Sequence, residues 1–115
     1  MTDSNVDNIK SQMRKGVLEY CILGILGRED AYASLILSSL KEARMIVVEG
    51  TLYPLLTRLK NQGMLSYRWE ESTQGPPRKY YSLTEKGREA LAEIFHGLTP
   101  FLLKWIQRGT KQLPV

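Results

Sequence analysis

The chain has 115 residues, 43% of them hydrophobic, with 16 basic and 12 acidic side chains and a formal net charge of +4. That length suits one domain with at most one further helix for association, and the hydrophobic share supports a core of modest stability. One cysteine and one histidine cannot build a zinc site of the usual kind, and no apolar run reaches the roughly 18 residues that cross a bilayer.

Residues 1–8 are polar and read as a disordered tail without the apolar core of a signal peptide, so a cytosolic protein is expected. From about Ile9 to Gly27 the pattern is helical. Val17 to Leu26 is apolar enough to be buried on more than one side. Met13, Val17, Tyr20, Cys21 and Ile25 can face the domain core, with Cys21 a small buried thiol rather than a nucleophile. The excess on Leu18, Ile22 and Leu26 calls for a second surface. Leu18 and Ile22, together with Met13, are therefore placed in an interface between two copies of the chain.

Asp30 reads as the N-cap of a second helix from Ala31 to about Ala43, with Ala33, Ile36, Leu37 and Leu40 as its inner stripe. Arg44 to Val48 then connects to a third helix. Its Ile46-Val47-Val48 run is β-branched and could form a short strand beside a later hairpin.

In Glu49 to Gly63, Leu52, Leu55, Leu56 and Leu59 recur at i, i+3, i+4 and i+7, the spacing of one buried helical stripe. The opposite face carries Gly50, Tyr53, Pro54, Thr57 and Asn61, with Arg58 at its edge. Such a face is either ordinary solvated surface or a set of hydrogen-bonding groups for base edges and phosphates. Pro54 conflicts with a helix interior, but it lies about one turn in and points away from the leucines, so only some distortion is expected.

The residues after Gly63 favour the nucleic-acid reading of that face. Met64 to Glu70 alternates Leu65, Tyr67 and Trp69 with Ser66, Arg68 and Glu70, a period of two. A polar turn ends in Gly75-Pro76-Pro77, and Arg78 to Leu83 returns as a second strand. Helix then hairpin, with basic residues near the hairpin tip, is the outline of a winged helix.

Gly50-Thr51-Leu52-Tyr53-Pro54-Leu55-Leu56, Arg58-Leu59, Gly63-Met64-Leu65, Gly75-Pro76-Pro77-Arg78-Lys79-Tyr80-Tyr81 and Leu83-Thr84-Glu85-Lys86-Gly87 together resemble the signature of the PadR-like bacterial transcriptional regulators. The similarity runs from about Leu18 to Leu91. Pro76 stands where that family often has a second basic wing residue, and Val48 where a capping serine is common.

Charge is distributed accordingly. From Thr57 to Arg88 there are seven basic residues (Arg58, Lys60, Arg68, Arg78, Lys79, Lys86, Arg88) and three acids (Glu70, Glu71, Glu85), leaving nine of each sign elsewhere. The whole net positive charge thus falls on the third helix, the hairpin and the start of the last helix, as a DNA-binding face requires.

Thr84 is a suitable N-cap for the last helix. Leu91, Ile94, Leu98, Phe101 and Trp105 come in steps of three and four, a heptad seam that Phe95, Leu102 and Ile106 widen. One small domain cannot cover so broad a stripe, which points to a two-fold dimer. Thr99-Pro100 should split or kink the helix, with Thr99 as a cap and Pro100 as the first helical residue.

The expected fold class is mostly α with a small β-hairpin: a winged helix-turn-helix domain over 9–84 and a dimerisation helix over 85–115. The expected function is a sequence-specific transcriptional regulator, a repressor binding a near-palindromic operator as a homodimer. Tyr53, Thr57, Arg58 and Asn61 would meet bases or adjacent phosphates, helped by Gly50, Thr51 and Pro54. Lys60, Tyr32, Ser34, Arg68, Arg78 and Lys79 would meet the backbone or minor groove.

The resemblance also implies a small aromatic or lipophilic effector. The tryptophan that stacks flat drugs in one branch of that family corresponds here to Leu98, so this chain lacks that slab; Tyr20, Phe95, Phe101 and Trp105 either line an aromatic pocket or, as their helical spacing favours, form interface core. The alternatives are a winged helix serving protein contacts only, or a small-molecule sensor with little DNA binding. No cofactor is expected, and neither paired carboxylates, a His beside a nucleophile nor a Gly-rich phosphate loop suggests an enzyme.

Overall fold

The computed structural model describes residues 4–112. Its elements run α1 (Ser4–Arg28), α2 (Ala33–Glu42), α3 (Glu49–Asn61), β1 (Leu65–Ser72), β2 (Gly75–Leu83), α4 (Glu85–Glu93), a π-helical turn (Ile94–Leu98) and α5 (Thr99–Gln112). This is the mostly helical chain with one hairpin that the sequence pattern predicts. The helix at the start reaches back to Ser4, so residues 4–8 are helical rather than a disordered tail, and residues 1–3 lie outside the described residues.

The core lies where α1, α2, α3 and the base of the hairpin meet. Leu18, Ile22, Leu23 and Leu26 of α1 pack with Ile36 and Leu40 of α2, with the four leucines of α3, and with Leu65, Tyr81 and Leu83. The faces expected of α1 hold only in part: Cys21 and Ile25 are half-buried against the core as expected, but the innermost residues are those assigned to the second surface. Leu18, Ile22 and Leu26 are buried within the subunit, while Met13 is 65% and Val17 50% exposed. The core begins only at Leu18, and the first half of α1 extends past it.

Helices α2 and α3 end alike. After α2 the Met45 N–H donates to the Leu40 carbonyl and Arg44 N–H to Lys41; after α3 Met64 N–H donates to Leu59 and Gly63 N–H to Lys60. Each is the two-bond closure of a Schellman motif, which requires a left-handed residue, here Arg44 at φ 64° and Gly63 at φ 77°. Ile46 to Val48, which follow the closure of α2, form no strand. The rung added beside the hairpin comes from Ala31, which exchanges backbone hydrogen bonds of 3.1 and 2.9 Å with Tyr81. With Ala31 held there, α2 starts at Ala33 after Tyr32, and Asp30 does not cap it.

The strands pair antiparallel, Leu65 opposite Leu83, Tyr67 opposite Tyr81 and Trp69 opposite Lys79. Only the base of the hairpin is buried; Trp69, farther along, is 61% exposed. The base is tied to α3 and α4 together. Thr84 caps α4 by accepting from the Gly87 N–H at 3.1 Å and donates its own hydroxyl to the Gly63 carbonyl at 2.5 Å. Its N–H reaches the Met64 carbonyl, and the Lys86 ammonium donates to the Gln62 carbonyl at 2.8 Å.

Pro100 does not split the last helix. Thr99 is helical, at φ −60° and ψ −48°, rather than a cap, and its N–H donates to the Ile94 carbonyl five residues back. A proline lacks an N–H and crowds the carbonyl four residues before it; a widened turn in front of Pro100 absorbs that misfit without a break. Leu91 and Ile94, expected in a dimer seam, are half-buried against the subunit's own core.

Gly87 is the tightest point of this arrangement, since a Cβ there would run into the Met64 carbonyl oxygen. Gly87→Ala is expected to cost about 1–3 kcal/mol by forcing α4 away from the hairpin base. Urea denaturation measures it, and an unchanged midpoint would show that α4 can shift freely.

Candidate nucleic-acid interface

Burial of Leu52, Leu55, Leu56 and Leu59 turns the rest of α3 outward. Gly50, Thr51, Tyr53, Pro54, Thr57, Arg58, Lys60 and Asn61 are all exposed. Tyr53, Pro54, Thr57, Arg58, Asn61 and Gln62 form one continuous shallow surface. Arg58 leans toward Glu19 of α1, 3.7 Å away, and remains largely exposed.

The hairpin adds a second wall. Tyr32, Ser34, Glu49, Tyr53, Arg78 and Lys79, with Trp69 and Pro77, line a cleft of about 410 Å³ between the starts of α2 and α3 and the wing. Candidate contacts from three separate parts of the chain, Tyr32 and Ser34, Tyr53, and Arg78 and Lys79, thus meet there. The cations are held by rings: the Arg78 guanidinium lies 4.6 Å from the Tyr32 ring centre, and the Lys79 ammonium 4.5 Å from that of Tyr67 and 5.3 Å from that of Trp69. Lys60 also lies over the wing's aromatic cluster, 5.4 Å from the Tyr67 centre. Such contacts restrict long side chains while leaving their charge exposed.

Two candidates are placed differently. Thr51 faces the far flank of α3, in a cleft shared with Ser11, Arg14 and Lys15 of α1. Those last two cations are an addition, since their place beside α3 comes from the crossing of the helices and not from spacing. Arg68, expected along the phosphates, is held by two carboxylates, Asp30 at 2.6 Å and Glu70 at 2.8 Å.

The aromatic pocket forms only in part. Tyr20 and Phe95 line a groove of about 480 Å³ with Gly24, Gly27, Leu83, Arg88, Leu91 and Ala92. Phe101 and Trp105 do not reach it; their rings pack on each other along α5 at 5.9 Å. The Tyr20 hydroxyl instead meets Thr99 Oγ1 at 3.3 Å, linking α1 to the start of α5.

The sequence profile of the transcriptional regulator PadR-like family matches residues 22–93, from the last third of α1 to the end of α4. The chain belongs to that family. A PadR-like transcription factor from Bacteroides fragilis is 62% identical, with a TM-score of 0.77 over 87% of this chain and 97% of that one. A PadR family transcriptional regulator from Eggerthella lenta is 31% identical, with a TM-score of 0.76 over 96% of both chains. A PadR-like regulator from Bacillus cereus is 35% identical, with a TM-score of 0.72 over 90% of this chain and 99% of that one. The fold is accordingly the winged helix-turn-helix of PadR-like regulators, with α3 in the place of the recognition helix and the hairpin as the wing.

Hydrogen bonds from Arg68 and Ser82 hold the Asp30 carboxyl below the ordinary aspartate range. A folded value beneath the unfolded one contributes stability above about pH 4, and the contribution is lost as pH falls through the folded value. Thermal melts of wild type and Asp30→Asn should differ by a constant amount from about pH 7 to about pH 5 and converge in stronger acid. A gap that stays constant to about pH 2 would take the carboxylate charge out of the account.

Proposed function

We propose that this PadR-like regulator is a homodimeric repressor that occupies a near-palindromic operator. The observation that carries the reading is the exposed outer face of α3, continued by ring-held wing cations into one cleft. Thr57, Asn61, Tyr53 and Arg58 would meet base edges or adjoining phosphates in the major groove, with Lys60 on the backbone. Arg78 and Lys79 would track the phosphate strand beside it. Two recognition helices about 34–36 Å apart would then read successive major grooves.

Dimerisation is supported by what the subunit leaves uncovered. Phe95, Leu98, Phe101, Leu102, Trp105 and Ile106 are exposed on the last helix, as are Val6, Ile9, Met13 and Val17 on α1. An apolar surface of this breadth suits association with a second copy. A small aromatic or lipophilic effector would find the Tyr20–Phe95 groove beside that surface, and would act only by favouring one arrangement of the two subunits over another.

Binding titrated against salt tests the DNA-facing half. Replacing Arg78 and Lys79 with Ala should flatten the salt slope by up to about 2; an unchanged slope removes the wing from the contact, and no salt-dependent binding by wild type leaves a protein-interaction module. Sedimentation tests the other half. Phe101→Glu with Trp105→Glu should yield monomers and weaken operator binding by about a hundredfold, because two linked half-sites become separate events. A dimer that survives both changes would move the interface off α5.

A further inference from the structure

Arg68 is exposed, basic and on the wing, yet its surroundings differ from those of Arg78 and Lys79. Its Nη1 donates to Asp30 Oδ2 at 2.6 Å and its Nε to Glu70 Oε1 at 2.8 Å. The guanidinium also lies 5.3 Å from the Tyr80 ring centre. Tyr80 meets Tyr32 edge to face at 5.2 Å, and Tyr32 carries Arg78 on its own ring. Asp30 and Tyr32 flank Ala31, whose backbone forms the rung with Tyr81.

We infer that Arg68 positions the wing rather than binding DNA: it fastens β1 to the segment before α2 and so fixes where Arg78 and Lys79 stand relative to α3. Two carboxylates offset its single charge, so little remains to attract a phosphate. The base of the hairpin is fixed to α3 and α4, but on the side of α2 the backbone rung alone would hold it at one point. The Asp30 ion pair and the Tyr80–Tyr32 contact supply points on either side of it. The inference rests on the DNA-binding reading proposed above, and concerns which wing cation does what within it.

The test uses the full chain and a duplex enriched by wild type from a random pool. Arg68→Ala and Asp30→Asn should each weaken binding by about three- to tenfold, with the salt slope unchanged from wild type. Because both act through one link, the double variant should bind no more weakly than the weaker single variant. Amide exchange in β1 and β2 should quicken in all three.

A phosphate contact predicts otherwise: Arg68→Ala flattens the slope by about one, and Asp30→Asn, by freeing the guanidinium, tightens binding. Either result, or unchanged affinity in both single variants, overturns the positioning role while the DNA reading stands. Failure of wild type to enrich any duplex overturns both. Arg68→Lys separates geometry from charge: it keeps the charge but loses the fork, so the positioning role expects it to resemble Arg68→Ala.

Discussion

The arrangement of this protein depends on four leucines. Burying a leucine side chain contributes about 1.5–3 kcal/mol, and Leu52, Leu55, Leu56 and Leu59 are all within 6% of full burial. Together they outweigh the roughly 3 kcal/mol that a proline costs inside a helix. Helix α3 therefore keeps its α geometry through Pro54. Because the stripe admits one rotation of the helix, it also dictates which residues face outward. The surface proposed to meet DNA is a consequence of the core, and Pro54 is tolerated because it falls on the side turned away from the leucines.

A recognition helix needs a wing at a fixed angle, and a two-stranded hairpin is barely stable alone. Here it is held at its base. Gly63, in the left-handed region, closes α3 and leads into β1, while Thr84 ends β2 and caps α4 with a hydroxyl that also reaches the Gly63 carbonyl. Gly87 lets α4 approach the same turn without a clash. Three elements thus share one small knot of hydrogen bonds, and Ala31 adds a rung from α2's side. The middle of the hairpin, where Arg78 and Lys79 stand opposite Glu70 and Trp69, is ordered by aromatic rings rather than by burial.

Much of this was legible because periodicity carries phase. The leucine spacing in α3 admits one orientation, so its outer face could be read directly; the alternation in β1 marks the strand but not its burial, since of Leu65, Tyr67 and Trp69 only Leu65 is buried. The run Val17 to Leu26 is apolar on nearly every side and carries no phase, so spacing does not decide which residues lie innermost: Leu18, Ile22 and Leu26 do, with Cys21 and Ile25 half-buried beside them and Val17 exposed. Asp30 had the composition of a cap, but the charge partner that claims it lies 38 residues away in the chain. Pro100 implied a break only for a rigid 3.6-residue turn, and a π turn supplied the missing room. Arg14 and Lys15 beside Thr51 were hidden for a further reason: their neighbourhood is set by how two helices cross, which local spacing does not encode.

The last helix joins the two halves of the molecule. At its start, α4 is bound through Thr84 and Lys86 to the carbonyls that end the recognition helix. At its far end, α5 presents Phe101, Leu102, Trp105 and Ile106, which the subunit leaves exposed. Between them lies the π turn, where Tyr20 of α1 meets Thr99. A π turn is rare and costlier than an α turn, and it is the irregular point on this path. In the proposed dimer, any change in how the α5 helices sit against each other must either be absorbed at residues 94–98 or pass along α4 into the closing turn of α3. The groove formed by Tyr20, Leu91 and Phe95 opens beside that irregular turn. A molecule seated there would bear on the stretch where that choice is made, without touching the face of α3 proposed to meet DNA.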